Sequence, residues 1–138
     1  MTGPARIRYV TAMQFNLDRP PTLHVVRAHG PGLLRIGDRS FSRSLIVTAA
    51  TLIENWRPLR IEDLQASDLD PILALQPEVL LVGSGTRQQF PARATLAALY
   101  SARVGFEIMD TGAACRTYNV LVAEGRNVAA ALIVEPLA

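Results

Sequence analysis

Glu78-Val79-Leu80-Leu81-Val82-Gly83-Ser84-Gly85-Thr86 is the stretch that decides the fold. Its apolar run does not alternate, as a strand covered on both faces requires, and the glycines that follow break it into a turn. Downstream, Pro91 falls where a helix can begin, and Leu96, Leu99, Tyr100 and Val104 are spaced as one buried helical stripe running to about Arg103. Gly105 ends that helix and Phe106-Glu107-Ile108-Met109 is short enough to be a parallel strand. Asp110 or Thr111 then caps a second helix whose inner face is Ala114, Tyr118, Leu121 and Val122. Gly125 suits its C-terminal cap, and Asn127–Val134 reads as a strand in the sheet interior. Strand, helix, strand, helix, strand is an α/β unit.

Upstream the pattern changes. Leu23–His29, Leu33–Ile36, Arg39–Ser42 and Ser44–Ala50 are strand-like runs separated by Gly30-Pro31-Gly32 and Gly37-Asp38, which makes the first third mostly antiparallel β. Trp56 marks the exit from that region as a lid on the core edge, with an indole N–H that needs an acceptor. One helical turn at Ile61–Leu64 and a short helix capped by Ser67 or Asp68 follow, with Pro71 tolerated in the first turn and Pro77 as the stop. Residues 1–20 lack a sustained period and end in Arg19-Pro20-Pro21; they are expected to be a partly ordered arm, and residues 21–138 one domain.

Composition excludes several chemistries. The chain has no lysine, which removes Schiff-base catalysis and the phosphate-loop lysine. Cys115 is the single cysteine, so there is neither an internal disulfide nor a cysteine-built zinc site within one chain. Residues 1–60 carry nine arginines against three acids (+6), and residues 61–138 carry five against nine (−4). The basic half would attract nucleic acid, but no aromatic platform is interleaved with its scattered arginines, so nucleic-acid binding is not expected. No apolar run reaches the roughly 18–20 residues of a membrane span, and no secretory signal is evident; a cytoplasmic protein is expected.

Two groups of residues mark a candidate ligand site. Gly83, Ser84, Gly85 and Thr86 follow a strand and precede a helix, where backbone N–H groups can hold an anion or small metabolite. Residue 88 is Gln, so the dinucleotide pattern G-x-G-x-x-G fails; residue 82 is Val, so G-x-S-x-G fails as well. Asp110, Thr111, Tyr118 and Asn119 form the second group, with Arg116 one turn into the helix. Placed beside the glycine turn, Asp110 and Thr111 would make a cleft at a sheet crossover. Their plainer roles are capping by Asp110, backbone hydrogen bonds by Tyr118 and Asn119, and pairing of Arg116 with Glu107 or Glu124. His24 and His29 would point to opposite faces of a regular strand, which opposes joint metal binding. No complete catalytic set, metal site or cofactor motif emerges.

Val82-Gly83-Ser84-Gly85-Thr86, Met109-Asp110-Thr111, Ala114-Cys115-Arg116-Thr117-Tyr118-Asn119, Glu124-Gly125-Arg126 and Val128–Ile133 together resemble a small conserved domain family of unknown biochemical function. Leu34–Gly37, Ser44–Val47 and Trp56 extend the resemblance over roughly residues 22–138. The family includes a mitochondrial assembly factor for respiratory complex I and an adipogenesis-associated protein. The resemblance implies a three-layer α/β domain, with a central mixed sheet, helices on one side and the N-terminal β structure on the other. It implies no catalytic residues and no cofactor. The expected partners are proteins, with a homo-oligomer left open.

Overall fold

The computed structural model describes residues 23–137. The expected arm at residues 1–20 lies outside them. A three-stranded antiparallel sheet comes first: β1 (Val26–Gly30), β2 (Leu33–Ile36) and β3 (Arg39–Phe41), in that order. The remaining strands are β4 (Leu45–Thr48), β5 (Leu52–Ile53), β6 (Val79–Gly83), β7 (Gly105–Met109) and β8 (Val128–Leu132). They form one mixed sheet ordered β5-β4-β8-β6-β7. β8 runs parallel to β6 and antiparallel to β4, while β7 pairs parallel to β6 at the sheet edge.

The helices are α1 (Asp70–Leu73), α2 (Arg93–Ser101) and α3 (Thr111–Ala123), and two 3-10 turns precede α1. Side-chain alternation on the central strands divides the interior into two cores. Leu45, Val47, Leu81, Ala130 and Leu132 face one core, with Ala114, Cys115, Tyr118 and Val122 of α3 and with Val26, Leu34, Ile36 and Phe41 of the small sheet. Ile46, Leu80, Val82, Ala129 and Ala131 face the other, with Leu99 of α2, Ile72 of α1, and Trp56, Ile61 and Leu64. The expected three layers and mixed central sheet are therefore present. The layering is more mixed than chain order suggests: α3 shares its side with β1–β3, while α1 and α2 cover the opposite face. That arrangement follows from the path, because β6→α2→β7 steps toward one edge and β7→α3→β8 returns past β6 over the other face.

Two local differences from the sequence reading have clear causes. The strand expected at Ser44–Ala50 stops at Thr48, whose hydroxyl accepts from the Ala50 and Thr51 amides and turns the chain into β5. Tyr100, expected on the buried stripe of α2, is 71 % exposed and lies edge-on to Phe106 of β7. Leu99 takes the core-facing position of α2, and Tyr100, the next residue, is turned away from the core toward the edge strand.

The connection from β5 to α1 has no long element of its own and is fastened by polar contacts. Trp56 is buried and its indole N–H donates to the Asp68 carbonyl at 3.0 Å. The Asp68 carboxylate accepts from Arg57 Nε at 2.9 Å, Arg57 Nη2 at 2.6 Å and the Gln65 amide at 2.8 Å. Arg57 also donates to the Asp63 carbonyl. The Arg57 hydrogen bonds hold the Asp68 carboxyl below the usual range, against the opposing effect of burial and with help from the Gln65 amide. A carboxylate with a depressed folded-state pKa contributes stability that is complete above its unfolded value of about 3.9 and is lost as pH falls through the folded value. Urea titrations from pH 7 to pH 2 should show Asp68→Asn less stable than wild type at pH 7. The two stability curves should converge below about pH 4; parallel curves would count against the pair.

Candidate functional site

The carboxyl ends of β6, β7 and β8 meet in a region stitched by short hydrogen bonds. β6 and β7 are neighbours whose following helices lie on opposite faces of the sheet, the arrangement in which open α/β sheets generally leave a ligand crevice. Here the crevice is filled by the chain itself. Ser84 is fully buried; its hydroxyl proton is shared between the carbonyls of Arg87 and Met109, at 2.9 and 3.1 Å, while its oxygen accepts from the Gln89 amide. The Ser84 amide donates to the Met109 carbonyl at 2.8 Å, and Gln88 Nε2 donates to the Ile108 carbonyl at 2.9 Å. With donor and acceptor both committed and no histidine among its partners, Ser84 is a structural plug between the two strands.

Thr111 makes the next junction. Its amide donates to the Gly85 carbonyl, its hydroxyl oxygen accepts from the Gly85 amide at 2.9 Å, and the hydroxyl donates to the Ile133 carbonyl at 2.7 Å. One residue thus joins the glycine turn, α3 and the segment leaving β8. Gly83 ends β6 so close to it that an added Cβ would lie 3.0 Å from the Thr111 Cα. Asp110 caps α3, Oδ1 accepting from the Ala113 amide at 2.8 Å.

An open cleft of about 260 Å³ remains beside these junctions. Gly85, Thr86, Asp110, Thr111 and Arg116 border it on one side. His29 and the β1–β2 turn close another, and Glu135 enters from the segment after β8. Glu135 Oε1 accepts from both the amide and the hydroxyl of Thr86, each at 2.9 Å. Gly85 adopts φ +114°, and a Cβ there would fall 2.7 Å from the Glu135 carboxyl carbon. A Cβ on Gly112 would come 2.8 Å from His29 Cε1. The two glycines therefore admit the two side chains.

The predicted site residues separate into two sets. Gly85, Thr86, Asp110, Thr111 and Arg116 come together at the cleft; Gly83, Ser84, Tyr118 and Asn119 do not line it. Tyr118 is buried and its hydroxyl donates to the His24 carbonyl at 2.8 Å, with burial pushing the phenol pKa up. Asn119 grips the backbone of Val26 at both ends, Oδ1 accepting from its N–H at 2.9 Å and Nδ2 donating to its carbonyl at 2.8 Å. Both hold α3 against the start of β1. Among the described residues Arg116 makes no ion pair, with Glu107 and Glu124 or otherwise. His29 and Glu135 carried no motif in the sequence; they reach the cleft only because β1 and β8 bring them there. The histidines lie apart, His24 beside the Thr48 carbonyl and His29 at the cleft, and no metal-binding cluster occurs among the described residues.

The sequence from residue 26 to 133 matches the pattern of a family described as protein of unknown function (DUF498/DUF598). The chain belongs to that family. A relative from Francisella tularensis, named 13 kDa major membrane protein, is 36 % identical over 75 % of this chain and 84 % of its own length. The NADH dehydrogenase [ubiquinone] 1 alpha subcomplex assembly factor 3 of Xenopus tropicalis is 28 % identical over 89 % of this chain and 67 % of its own. A crystal structure from Bordetella parapertussis superposes with a TM-score of 0.77 at 38 % identity, covering 85 % of this chain and all of that one. The complex I assembly factor in the expected family is thus among the relatives found for this DUF498/DUF598 member. No described helix is long and apolar enough to cross a membrane.

Two predictions follow from the buried residues of α3. Tyr118→Phe leaves the His24 carbonyl without its donor and should cost about 1–2 kcal/mol in chemical denaturation, with the fold retained. Burial pushes the Cys115 thiol up to about 12, so at pH 8 almost no thiolate is present. A disulfide-exchange reagent should label Cys115 only as fast as the protein unfolds. Rapid labelling of the native state would contradict its burial.

Proposed function

We propose that this protein is a non-enzymatic binding module whose partners are other proteins, working in the cytoplasm as an assembly factor. The observation that carries the reading is the relationship, along most of the chain, to proteins named as assembly factors of NADH dehydrogenase. The closed turn supports it too: the serine in the position most suggestive of chemistry is spent on its neighbours' backbone. The surface offers material for protein contact. Phe90, ahead of α2, is 63 % exposed, and Tyr100, near the helix end, is exposed beside the edge strand β7. Aromatic side chains supply large contact area at low entropic cost, and β7, which among the described residues pairs with a strand on one side only, can accept a further strand short of the Ile108 carbonyl that Gln88 occupies.

Affinity purification of the tagged protein from its own cells, after cross-linking, should recover a reproducible protein partner in near-stoichiometric amount. Phe90→Asp with Tyr100→Asp should reduce that recovery at least tenfold while leaving the melting temperature within a few degrees. The reading fails if no partner is recovered and the purified protein turns over a defined substrate in a manner abolished by Ser84→Ala or Cys115→Ala.

One observation favours a second reading, a small-molecule or anion site at Gly85, Thr86, Asp110 and Thr111. The cleft beside them is open and edged by charged side chains. Binding there would be compatible with the protein-binding role.

A further inference from the structure

The cleft carries charges of both signs that do not neutralise one another. Arg116 comes from α3, Glu135 from the segment after β8 and Asp110 from the cap of α3, and all three border the same space. No ion pair joins Arg116 to either acid among the described residues. The carboxylates are anchored. Asp110 is held by the Ala113 amide, and Glu135 by the amide and hydroxyl of Thr86 through Oε1, which leaves Oε2 unbonded among the described residues. Gly85 and Gly112 both lack the Cβ that would push Glu135 and His29 away.

These features constrain what fits. A simple anion drawn to Arg116 would share the cleft with two carboxylates, and a simple cation drawn to the carboxylates would share it with the guanidinium, so each meets a like charge as well as an opposite one. A molecule bearing both charges satisfies both walls. A guanidinium offers a planar pair of donors matched to a carboxylate, and a carboxylate accepts readily from an ammonium group. At about 260 Å³ the space is slightly smaller than the roughly 300–1,000 Å³ of sites for drug-sized ligands.

The geometry points to a site for a small zwitterion of free α-amino-acid size, its carboxylate on Arg116 and its ammonium on Glu135 and Asp110, with His29 closing the remaining side. This rests on the small-molecule reading of the cleft and is independent of the protein-binding one.

The test is a calorimetric and thermal-shift titration of the full chain with each of the twenty α-amino acids. Every positive is repeated with the matching deaminated acid and decarboxylated amine. At least one amino acid should raise the melting temperature and bind at 10 mM or below, and both of its singly charged analogues should bind at least tenfold more weakly. Arg116→Gln and Glu135→Gln should each weaken binding at least tenfold. Gln at 135 keeps an acceptor for Thr86 and Arg116 is exposed, so both variants should fold; unchanged melting of the unliganded proteins checks this. If a deaminated acid or an amine binds as well as the zwitterion, the cleft is a ligand site and the zwitterion assignment is overturned. If no amino acid binds, the zwitterion assignment is overturned, and the same titration with the full set of deaminated acids and amines decides separately whether the small-molecule reading falls with it.

Discussion

Strand β8 is the constraint on which the rest of the molecule depends. All five of its residues are buried, and among the described strands it alone pairs with both the antiparallel half of the sheet and the parallel half. Its centre is Ala129-Ala130-Ala131, with successive methyl groups entering opposite cores. A strand this poor in side-chain volume lets the layers above and below approach closely. Larger groups from Tyr118, Leu81 and Leu99 then fill the space. Adding methylenes to such a position forces rearrangement on both sides of the sheet.

The same economy governs the loops. In many doubly wound sheets the divergence of two helices at neighbouring strand ends leaves a vacancy for a ligand. This chain fills that position with Ser84 and Gln88 and joins the surrounding segments through Thr111. The accessible space lies to the side, where the β1–β2 turn overhangs the start of α3. The N-terminal sheet is therefore more than cover for the core. It forms a wall of the cleft, held in register by the Asn119 amide gripping Val26.

Much of the fold was legible because it rests on local physics. Unbroken apolar runs identified β6 and β8 as interior strands, Asp110 announced its own cap, and Gly125 lies at the end of α3 with φ +75°. The β4–β5 turn was not legible because Thr48, rather than glycine or proline, makes it. Tyr100 misled because helical spacing groups it with Leu99 on one stripe, whereas Leu99 takes the core-facing position and Tyr100 turns away from it. The site was legible only in its glycine turn and helix cap. The plainer reading of Tyr118 and Asn119, backbone hydrogen bonding, holds, while the role of Ser84 was not legible because its Met109 partner lies 25 residues away. His29 and Glu135 sit in unremarkable sequence, and only long-range strand pairing gives them a role.

Only the Asp110 cap and the first turns of α3 are local to one segment, and the cleft is complete only in the folded chain. His29 depends on the hairpin of β1 and β2, Arg116 on α3 lying across the sheet, and Glu135 on β8 being seated between β4 and β6. A compound that occupies it recognises the finished tertiary structure alone and draws the folding equilibrium toward that state in proportion to its concentration. Occupancy of the cleft would then report, to whatever meets the protein next, that the last strand has found its place.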